Sequence, residues 1–279
     1  MSVLAATRRH APASGGLDIA DRRVDIIDIG ADHKLTCAEA RTGERATTVG
    51  FGTAAKEAMR VSTTCPVCRA PTAQLFQRID GRQYRRCGAC EARFLDACQR
   101  PSRQDELAHY LHHENDADDP RYRGFLSKLA EPLMCRLSPG LSGLDYGCGP
   151  GPALVAMLSE AGHAMSIYDP FFFPDPAPLE GTYDFITCTE VAEHFHHPAE
   201  EFDRLGRMLR PGGRLAVMTC FQTDDARFAD WHYRKDPTHV VFYREATFHT
   251  IAAQRGWTCE VPVKDVILMH KPAIEATIP

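Results

Sequence analysis

The stretch Leu141-Ser-Gly-Leu-Asp-Tyr-Gly-Cys-Gly-Pro-Gly-Pro152 decides how the chain is read. Leu141 to Tyr146 has the length and apolar content of a short buried strand. Three glycines then alternate at Gly147, Gly149 and Gly151, and an apolar helix follows from Ala153 to Ala161, stopped at Gly162. Strand, glycine turn and helix N-terminus together make a nucleotide-binding element, because glycine lets a ligand approach the backbone with no Cβ in between. The spacing is not the G-x-G-x-x-G of dinucleotide folds, whose last glycine lies inside the helix. It is D-x-G-x-G-x-G, with Asp145 as the acid.

The elements downstream keep the same grammar. Ala164 to Tyr168 reads as a second strand ending at Asp169, 24 residues beyond Asp145. That is close to the ~20 residues at which an acid meets ribose hydroxyls in nucleotide folds. Phe171 to Gly181 holds three prolines and has no room for a helix and a third strand, so the third strand is expected to be vestigial. Tyr183 to Cys188 is a central strand, with Glu190, Glu193 and His194 just past its C-terminal end, where open α/β sheets bind ligands. Pro198 opens an amphipathic helix, and Leu209-Arg-Pro-Gly-Gly213 turns into a strand from Arg214 to Phe221. A polar and aromatic insertion at 222–243, a helix from Glu245 to Arg255 and strands at Trp257 to Val261 and Val266 to Met269 complete the chain.

The D-x-G-x-G-x-G motif resembles motif I of the class I S-adenosylmethionine (SAM) methyltransferases. Tyr183 to Phe195 looks like the motif IV region of the ubiquinone-biosynthesis type, and the order helix, L-R-P-G-G, strand is the second hallmark of that family. The resemblance runs from about residue 140 to 260. It implies an α/β fold, a doubly wound, mostly parallel Rossmann-like sheet with an antiparallel terminal hairpin. It further implies SAM as cofactor, held by Asp145, Gly147, Cys148, Gly149 and Gly151, by Asp169 and Pro170, and by Thr189 and Glu190. If the acceptor is a hydroxyl a base is needed, and His239, His194 and His232 are the candidates, His239 ahead of the others. In the O-methylating members the E-x-x-E-H residues are associated with a divalent cation, which carries over as Glu190, Glu193 and His194. Helices ahead of motif I commonly cover the cofactor, so His109, His112, His113 and Asp119 are lid candidates.

Upstream, Cys65-Pro-Val-Cys68 and Cys87-Gly-Ala-Cys90 are two C-x-x-C knuckles 18 residues apart, the spacing of a four-cysteine zinc ribbon, with a hairpin turned at Asp80-Gly81 between them. The division expected is a disordered extension over 1–60, the ribbon over 61–100, linking helices over 101–139 and the methyltransferase domain over 140–279. Met59 is an alternative start. Within 1–60 only Val24 to Ile29 looks strand-like. The ribbon, with eight arginines against three acids between Cys65 and Arg103, carries +5 and leaves −10 for the remainder of a chain whose net charge is −5. Its charge and the acidic run Asp105 to Asp119 are expected to attract each other. The ribbon is further expected to wall the acceptor pocket opposite Gln222 to Tyr243, so that removing residues 1–100 would spare SAM binding.

Three functions follow. They are a methyltransferase acting on a small molecule, a zinc-ribbon RNA methyltransferase of the ribosomal-RNA type, and a SAM- and zinc-binding protein without catalysis. The acidic remainder argues against a broad RNA footprint. No run approaches a membrane span, and no apolar stretch follows Arg8 and Arg9 to make a secretory signal. Eleven cysteines, four in knuckles and most others inside apolar strands, fit a reducing cytoplasm.

Overall fold

The computed structural model describes residues 63–112 and 115–273; the extension over 1–60, Val24 to Ile29, Met59 and His113 lie outside the described residues. The knuckles flank strands β1 (Ala73–Ile79) and β2 (Arg82–Cys87), joined by a tight turn in which Asp80 and Gly81 both take positive φ, at 51° and 78°. That is the primed hairpin geometry an Asp-Gly pair favours. β3 (Arg93–Leu95) pairs with β2, and a two-residue strand from the far end of the chain, β8 (Val241–Phe242), pairs with β3. The ribbon's sheet is therefore four-stranded, and its last strand belongs to the insertion at 222–243.

Two helices follow. α1 (Arg103–Tyr110) starts in a capping box between Ser102 and Asp105. α2 (Pro120–Met134) is capped by Asp119, whose carboxylate accepts from the Arg121 N–H at 2.8 Å. It buries Leu126, Leu129, Ala130 and Leu133, and it runs through Pro132.

The main sheet has six strands: β4 (Ser142–Tyr146), β5 (Ala164–Tyr168), β6 (Tyr183–Thr189), β7 (Leu209–Met218), β9 (Thr258–Val263) and β10 (Val266–His270). Their order is β5-β4-β6-β7-β10-β9. The first four are parallel, and the β10–β9 hairpin runs antiparallel at one edge. The other edge is β5, because the proline-rich segment beyond it makes only a bridge from Asp169 to Phe173 and a single 3₁₀ turn at Ala177–Glu180. No third strand forms there. α3 (Ala153–Glu160) and α2 cover one face of the sheet, packing on Phe185, Ala216, Met218 and Leu268. α4 (Pro198–Met208) and α6 (Glu245–Ala253) cover the other, where Phe202, Leu205, Phe248 and Ile251 are buried.

That second core does not stop at the sheet. Cys65, Cys68, Cys87, Cys90, Tyr84 and Leu95 belong to one hydrophobic cluster with Leu144, Ile186, Phe202, Leu215 and Phe248. The described residues accordingly fall within one compact unit. The ribbon arginines are engaged within it: Arg85 pairs with Asp96, Arg69 with Asp203, and Arg86 and Arg93 converge with Arg244 on Asp225. None of these pairs uses the acidic run 105–119, so the expected attraction is replaced by pairing with the insertion and with α4. No helix among the described residues is long and apolar enough to cross a membrane.

Candidate functional site

At the C-terminal end of β4 the chain turns through Gly147 and Gly149, with φ of 81° and 64°. These are left-handed values that cost an L-residue with a side chain about 1–2 kcal/mol. The turn is fastened to β5: the N–H of Gly147 donates to the Tyr168 carbonyl at 2.7 Å, and that of Gly149 to Asp169 Oδ2 at 3.0 Å. Asp169 Oδ1 accepts from the N–H groups of Phe171 and Phe172 at 2.8 and 3.0 Å. A carboxylate has about four lone-pair positions, so three backbone donors leave one, on Oδ2, for a ligand hydroxyl.

Above this turn lies a cavity of about 670 Å³, inside the ~300–1,000 Å³ range of small-molecule sites. Gly147, Cys148, Gly149, Asp169, Pro170, Thr189 and Glu190 line it. Burial pushes the Cys148 thiol up, so it stays protonated. The Thr189 hydroxyl is buried with no hydrogen-bond partner among the described residues.

α1 closes the mouth. Arg103 donates to the Pro170 carbonyl at 2.5 Å and lies over the Phe171 ring at 4.7 Å. Glu106 meets His196 at 3.1 Å, and His109 Nε2 meets Asp236 at 3.1 Å. Tyr110 stands edge-on to both Phe171 and His194, at 5.1 and 5.4 Å. One short helix thus grips the cavity rim on three sides. The residues it presents to the cavity, Arg103, Glu106 and Tyr110, were missed in the sequence. Their spacing of three and four along one helical face was the available signal. Of the named lid candidates, His109 pins the rim, His112 is exposed and Asp119 serves as the α2 cap.

Opposite the glycine turn, a 3₁₀ turn at Ala192–His194 and the segment after α5 (His232–Lys235) bring Glu193, His194 and His239 together. One ligating atom from each lies within 4.8 Å of the others. Glu193 is fully buried; its Oε2 accepts from Thr219 Oγ1 at 2.9 Å, while its Oε1 has no hydrogen-bond partner among the described residues. His239 Nδ1 is 2.7 Å from the Tyr233 carbonyl, and His194 Nδ1 is 3.1 Å from that of Thr238. A carbonyl only accepts, so Nδ1 carries the hydrogen in both rings and Nε2 is left as the lone-pair nitrogen. Burial lowers the His239 value, and His194 beside it adds to the effect, so the ring is neutral near pH 7. Burial and the neighbouring Glu193 charge push Glu190 up to about 8. Glu190 also takes a left-handed φ of 54° and accepts from Tyr233 Oη at 3.3 Å.

Four sequence expectations change. His232 is exposed on α5 and lines no part of the cavity, because the buried side of that turn is taken by Tyr233 and Arg234. Gly151 does not reach the cavity either. A Cβ there would stand 1.9 Å from the Asn115 carbonyl oxygen, so this glycine makes room for the segment between α1 and α2. Asp145 lies beneath the turn, buried and bonded to Thr187 Oγ1 at 2.6 Å. The ribbon contributes no residue to the cavity lining. It backs the wall instead, since the Leu95 N–H donates to the Val240 carbonyl and the Val240 N–H to the Glu193 carbonyl, each at 2.9 Å.

Asp145 gives a test of this reading through stability. Burial raises its carboxyl to about 6, from an ordinary 3.8, with Thr187 opposing and Asp169 adding. A raised folded-state value means that the folded chain holds the proton more tightly than the unfolded one. The ionised form therefore costs stability above about 6, progressively less as pH falls, and nothing below 3.8. Asp145→Asn, which keeps an acceptor for Thr187, should raise the melting temperature at pH 7.5 and leave it nearly unchanged at pH 4. Equal gains at the two pH values would sink the assignment.

The four cysteine sulfurs form a second cluster. Cys65 and Cys90 are 3.7 Å apart and Cys68 and Cys87 3.6 Å, all four buried. Four thiolates at about 2.3 Å from a tetrahedral zinc stand about 3.8 Å from one another. The N–H groups of Val67 and Ala89 point at the sulfurs of Cys65 and Cys87, at 3.4 and 3.3 Å. The donor set fits a structural ion.

A family model described as a methyltransferase domain matches residues 107–260, more than half of the chain. The chain belongs to this methyltransferase-domain family. A ubiquinone biosynthesis O-methyltransferase of Sodalis glossinidius (strain morsitans) is 25% identical over 146 residues, which is 49% of this chain and 57% of that protein. The match therefore spans little more than half the length of that curated relative. Among solved structures, an O-methyltransferase family protein from Burkholderia thailandensis aligns with 62% of this methyltransferase-family chain and 69% of its own, at 15% identity and a TM-score of 0.41. The 1,6-didemethyltoxoflavin-N1-methyltransferase of the same organism, bound to 1,6-didemethyltoxoflavin and S-adenosylhomocysteine, aligns with 72% and 99%, at 14% identity and a TM-score of 0.41.

Proposed function

We propose that the protein transfers the methyl group of SAM to a small-molecule acceptor, and that Cys65, Cys68, Cys87 and Cys90 hold one structural zinc ion. The observation that carries the first part is the continuity of one cavity, from Gly147, Gly149 and Asp169 at one end to Glu193, His194 and His239 at the other. Methyl transfer from a sulfonium is an in-line displacement, so the chain has to align donor and acceptor and keep water out. Asp169 receives a ribose hydroxyl at its remaining lone pair, the Thr189 hydroxyl faces the bound cofactor, and α1 covers the mouth. The curated relative is an O-methyltransferase, which favours a hydroxyl acceptor whose proton leaves toward the Glu193, His194 and His239 cluster.

The RNA reading loses its footing in the ribbon. Arg69, Arg85, Arg86 and Arg93 are held in ion pairs within the chain, and Arg93 is fully buried. Ion pairing of this kind lowers the charge that Arg85 and Arg93 could offer to a phosphate backbone, which favours the small-molecule reading.

Calorimetry with SAM tests the cofactor site. Asp169→Ala should weaken binding by about tenfold or more, since removing a charged partner of a hydroxyl costs about 1.5–3 kcal/mol. Gly149→Val should remove binding, because it puts a branched side chain on the cavity floor at a left-handed φ. If both variants bind SAM as the parent does, the pocket is assigned wrongly. A screen of metabolite fractions with radiolabelled SAM then identifies the acceptor class.

A further inference from the structure

The proline-rich segment after β5 leaves a recess at one corner of the cavity. Tyr146 and Tyr168 are register partners at the ends of β4 and β5, so both side chains leave the sheet on the same face, that of α4. No helix covers them there, because the segment beyond β5 supplies only the 3₁₀ turn at Ala177–Glu180. Their rings stand 5.3 Å apart at an angle of 35° and make an aromatic floor, which Phe195 extends at 6.3 Å from Tyr146. α4 borders this floor with Glu201 and Arg204, and the first turn of α1 borders it with Arg103.

Arg103 and Arg204 are the only arginines or lysines among the described residues that line the cavity, and neither is used up. Arg204 bonds to Tyr146 Oη at 3.1 Å and to the two Glu201 carboxylate oxygens at 3.1 and 3.0 Å, and every one of these bonds leaves from Nη1. Its Nε and Nη2 hydrogens are left for another partner. Arg103 gives Nη2 to the Pro170 carbonyl and pairs with no carboxylate among the described residues, so its charge is not offset. The Tyr168 hydroxyl has no hydrogen-bond partner among the described residues and lies in the field of both arginines. The far end of the cavity has the opposite sign, with Glu106, Glu190, Glu193 and Asp236 in its lining.

We propose that Arg103, Arg204 and the Tyr168 hydroxyl form a carboxylate site, and that the methyl acceptor is an acid anchored there, away from its reacting atom. The acceptor's part in this rests on the methyltransferase reading; the anion site rests on geometry alone. Guanidinium forks match the paired oxygens of a carboxylate, and the aromatic floor receives the apolar body beside it. α1 sets the span. Arg103 and Tyr110 are the first and last residues of that helix, about 10 Å apart along its axis. Tyr110 stands against His194, so an acceptor lying under α1 carries its carboxylate about 10 Å from the methylated group. The four acids at the far end repel that carboxylate, which excludes the reversed orientation.

Benzoate is the probe, compared with neutral benzamide of the same shape by saturation-transfer NMR on the full-length protein, first without and then with saturating S-adenosylhomocysteine. Benzoate should bind at least tenfold more tightly than benzamide in both conditions, and more tightly than inorganic phosphate competes with it. Arg103→Gln and Arg204→Gln should each weaken benzoate tenfold or more, and Tyr168→Phe severalfold. Arg207→Gln, exposed on α4 and outside the cavity lining, should leave it within about twofold. Melting curves check each fold, and Arg103→Gln, which breaks no ion pair, carries the test if Arg204→Gln melts early. Equal binding of benzoate and benzamide overturns the proposal, as does benzoate binding that neither arginine variant changes. Displacement of benzoate by S-adenosylhomocysteine also overturns it, because the recess then belongs to the cofactor. Phosphate binding more tightly than benzoate overturns the carboxylate assignment. SAM calorimetry on the same samples is read separately: a protein that binds benzoate through the two arginines and does not bind SAM keeps the anion site and refutes the methyltransferase reading.

Discussion

Withdrawing the proposed zinc ion from the cysteine cluster should unfold the whole described chain in one transition. The four cysteines do not close a separate small core; they are part of the cluster that contains Leu144, Ile186, Phe202 and Leu215 of the main sheet and α4. The knuckles are also tied to the rest by backbone. The Ala199 N–H at the start of α4 donates to the Pro66 carbonyl at 3.0 Å, and the Gln254 side chain at the end of α6 donates to the Cys68 carbonyl at 2.8 Å. Tyr84 packs edge-on against Phe228 at 5.1 Å and near Phe242 at 6.1 Å, joining β2 to the insertion. A structural zinc contributes on the order of 10 kcal/mol to its folded state, which matches or exceeds the whole stability of a typical domain, about 5–15 kcal/mol. Cys87→Ser, or an excess of chelator, should therefore abolish cooperative melting near room temperature, and SAM binding with it. A calorimetric trace with two separate transitions, the later one still responding to SAM, would restore the ribbon to an appendage. The sequence alone points to a ribbon docked as one wall of the acceptor pocket, whose removal with residues 1–100 leaves SAM binding intact.

The reason it does so lies in which contacts are local. The glycine turn, the strand ending at Asp169 and the cysteine spacing are all written within about thirty residues, and the order of elements from Leu141 onward emerges from hydrophobic run lengths and Gly/Pro punctuation. Even the missing third strand is legible, because Pro174, Pro176 and Pro178 remove every second donor from the middle of the segment. What is not legible depends on pairing over long separations. Val240 to Tyr243 reads only as a short apolar run; nothing in it says that Val241 and Phe242 will join Phe94 and Arg93. Yet that pairing brings Val240 against Glu193 and sets His239 beside His194. For the same reason the sequence keeps His232 among the candidates behind His239, and only packing separates exposed His232 from buried His239. Gly151 shows a related limit. Its spacing marks it as a third ligand-contacting glycine, while the constraint acting on it is the Asn115 backbone.

Gly147→Ala should remove SAM binding, and the cause can be divided between two terms. The first is conformational: φ is 81°, and an alanine there costs about 1–2 kcal/mol. The second is steric. A Cβ on Gly147 would stand 2.4 Å from Cγ2 and 2.7 Å from Cγ1 of Val191, the residue between Glu190 and the 3₁₀ turn that carries Glu193 and His194. Valine has one rotatable bond and cannot fold its methyls aside, so either the turn or the Val191 backbone must move; overpacking of this kind costs about 1–3 kcal/mol. The turn is held to β5 through the 2.7 Å bond from Gly147 to Tyr168, which leaves the Val191 side to give way, and with it the acceptor end of the cavity. The combined cost, about 2–5 kcal/mol, corresponds to a loss of SAM affinity of thirtyfold or more if most of it falls on the bound state. Val191→Ala removes both offending methyls. In the double variant Gly147→Ala with Val191→Ala, only the Val191 Cβ remains close, at 3.1 Å, so most of the steric term should go while the conformational term stays, and calorimetry should recover up to about half of the lost binding free energy. Full recovery would mean that the left-handed turn is not required by the cofactor, and no recovery would mean that the close approach of Val191 to Gly147 does not govern the site.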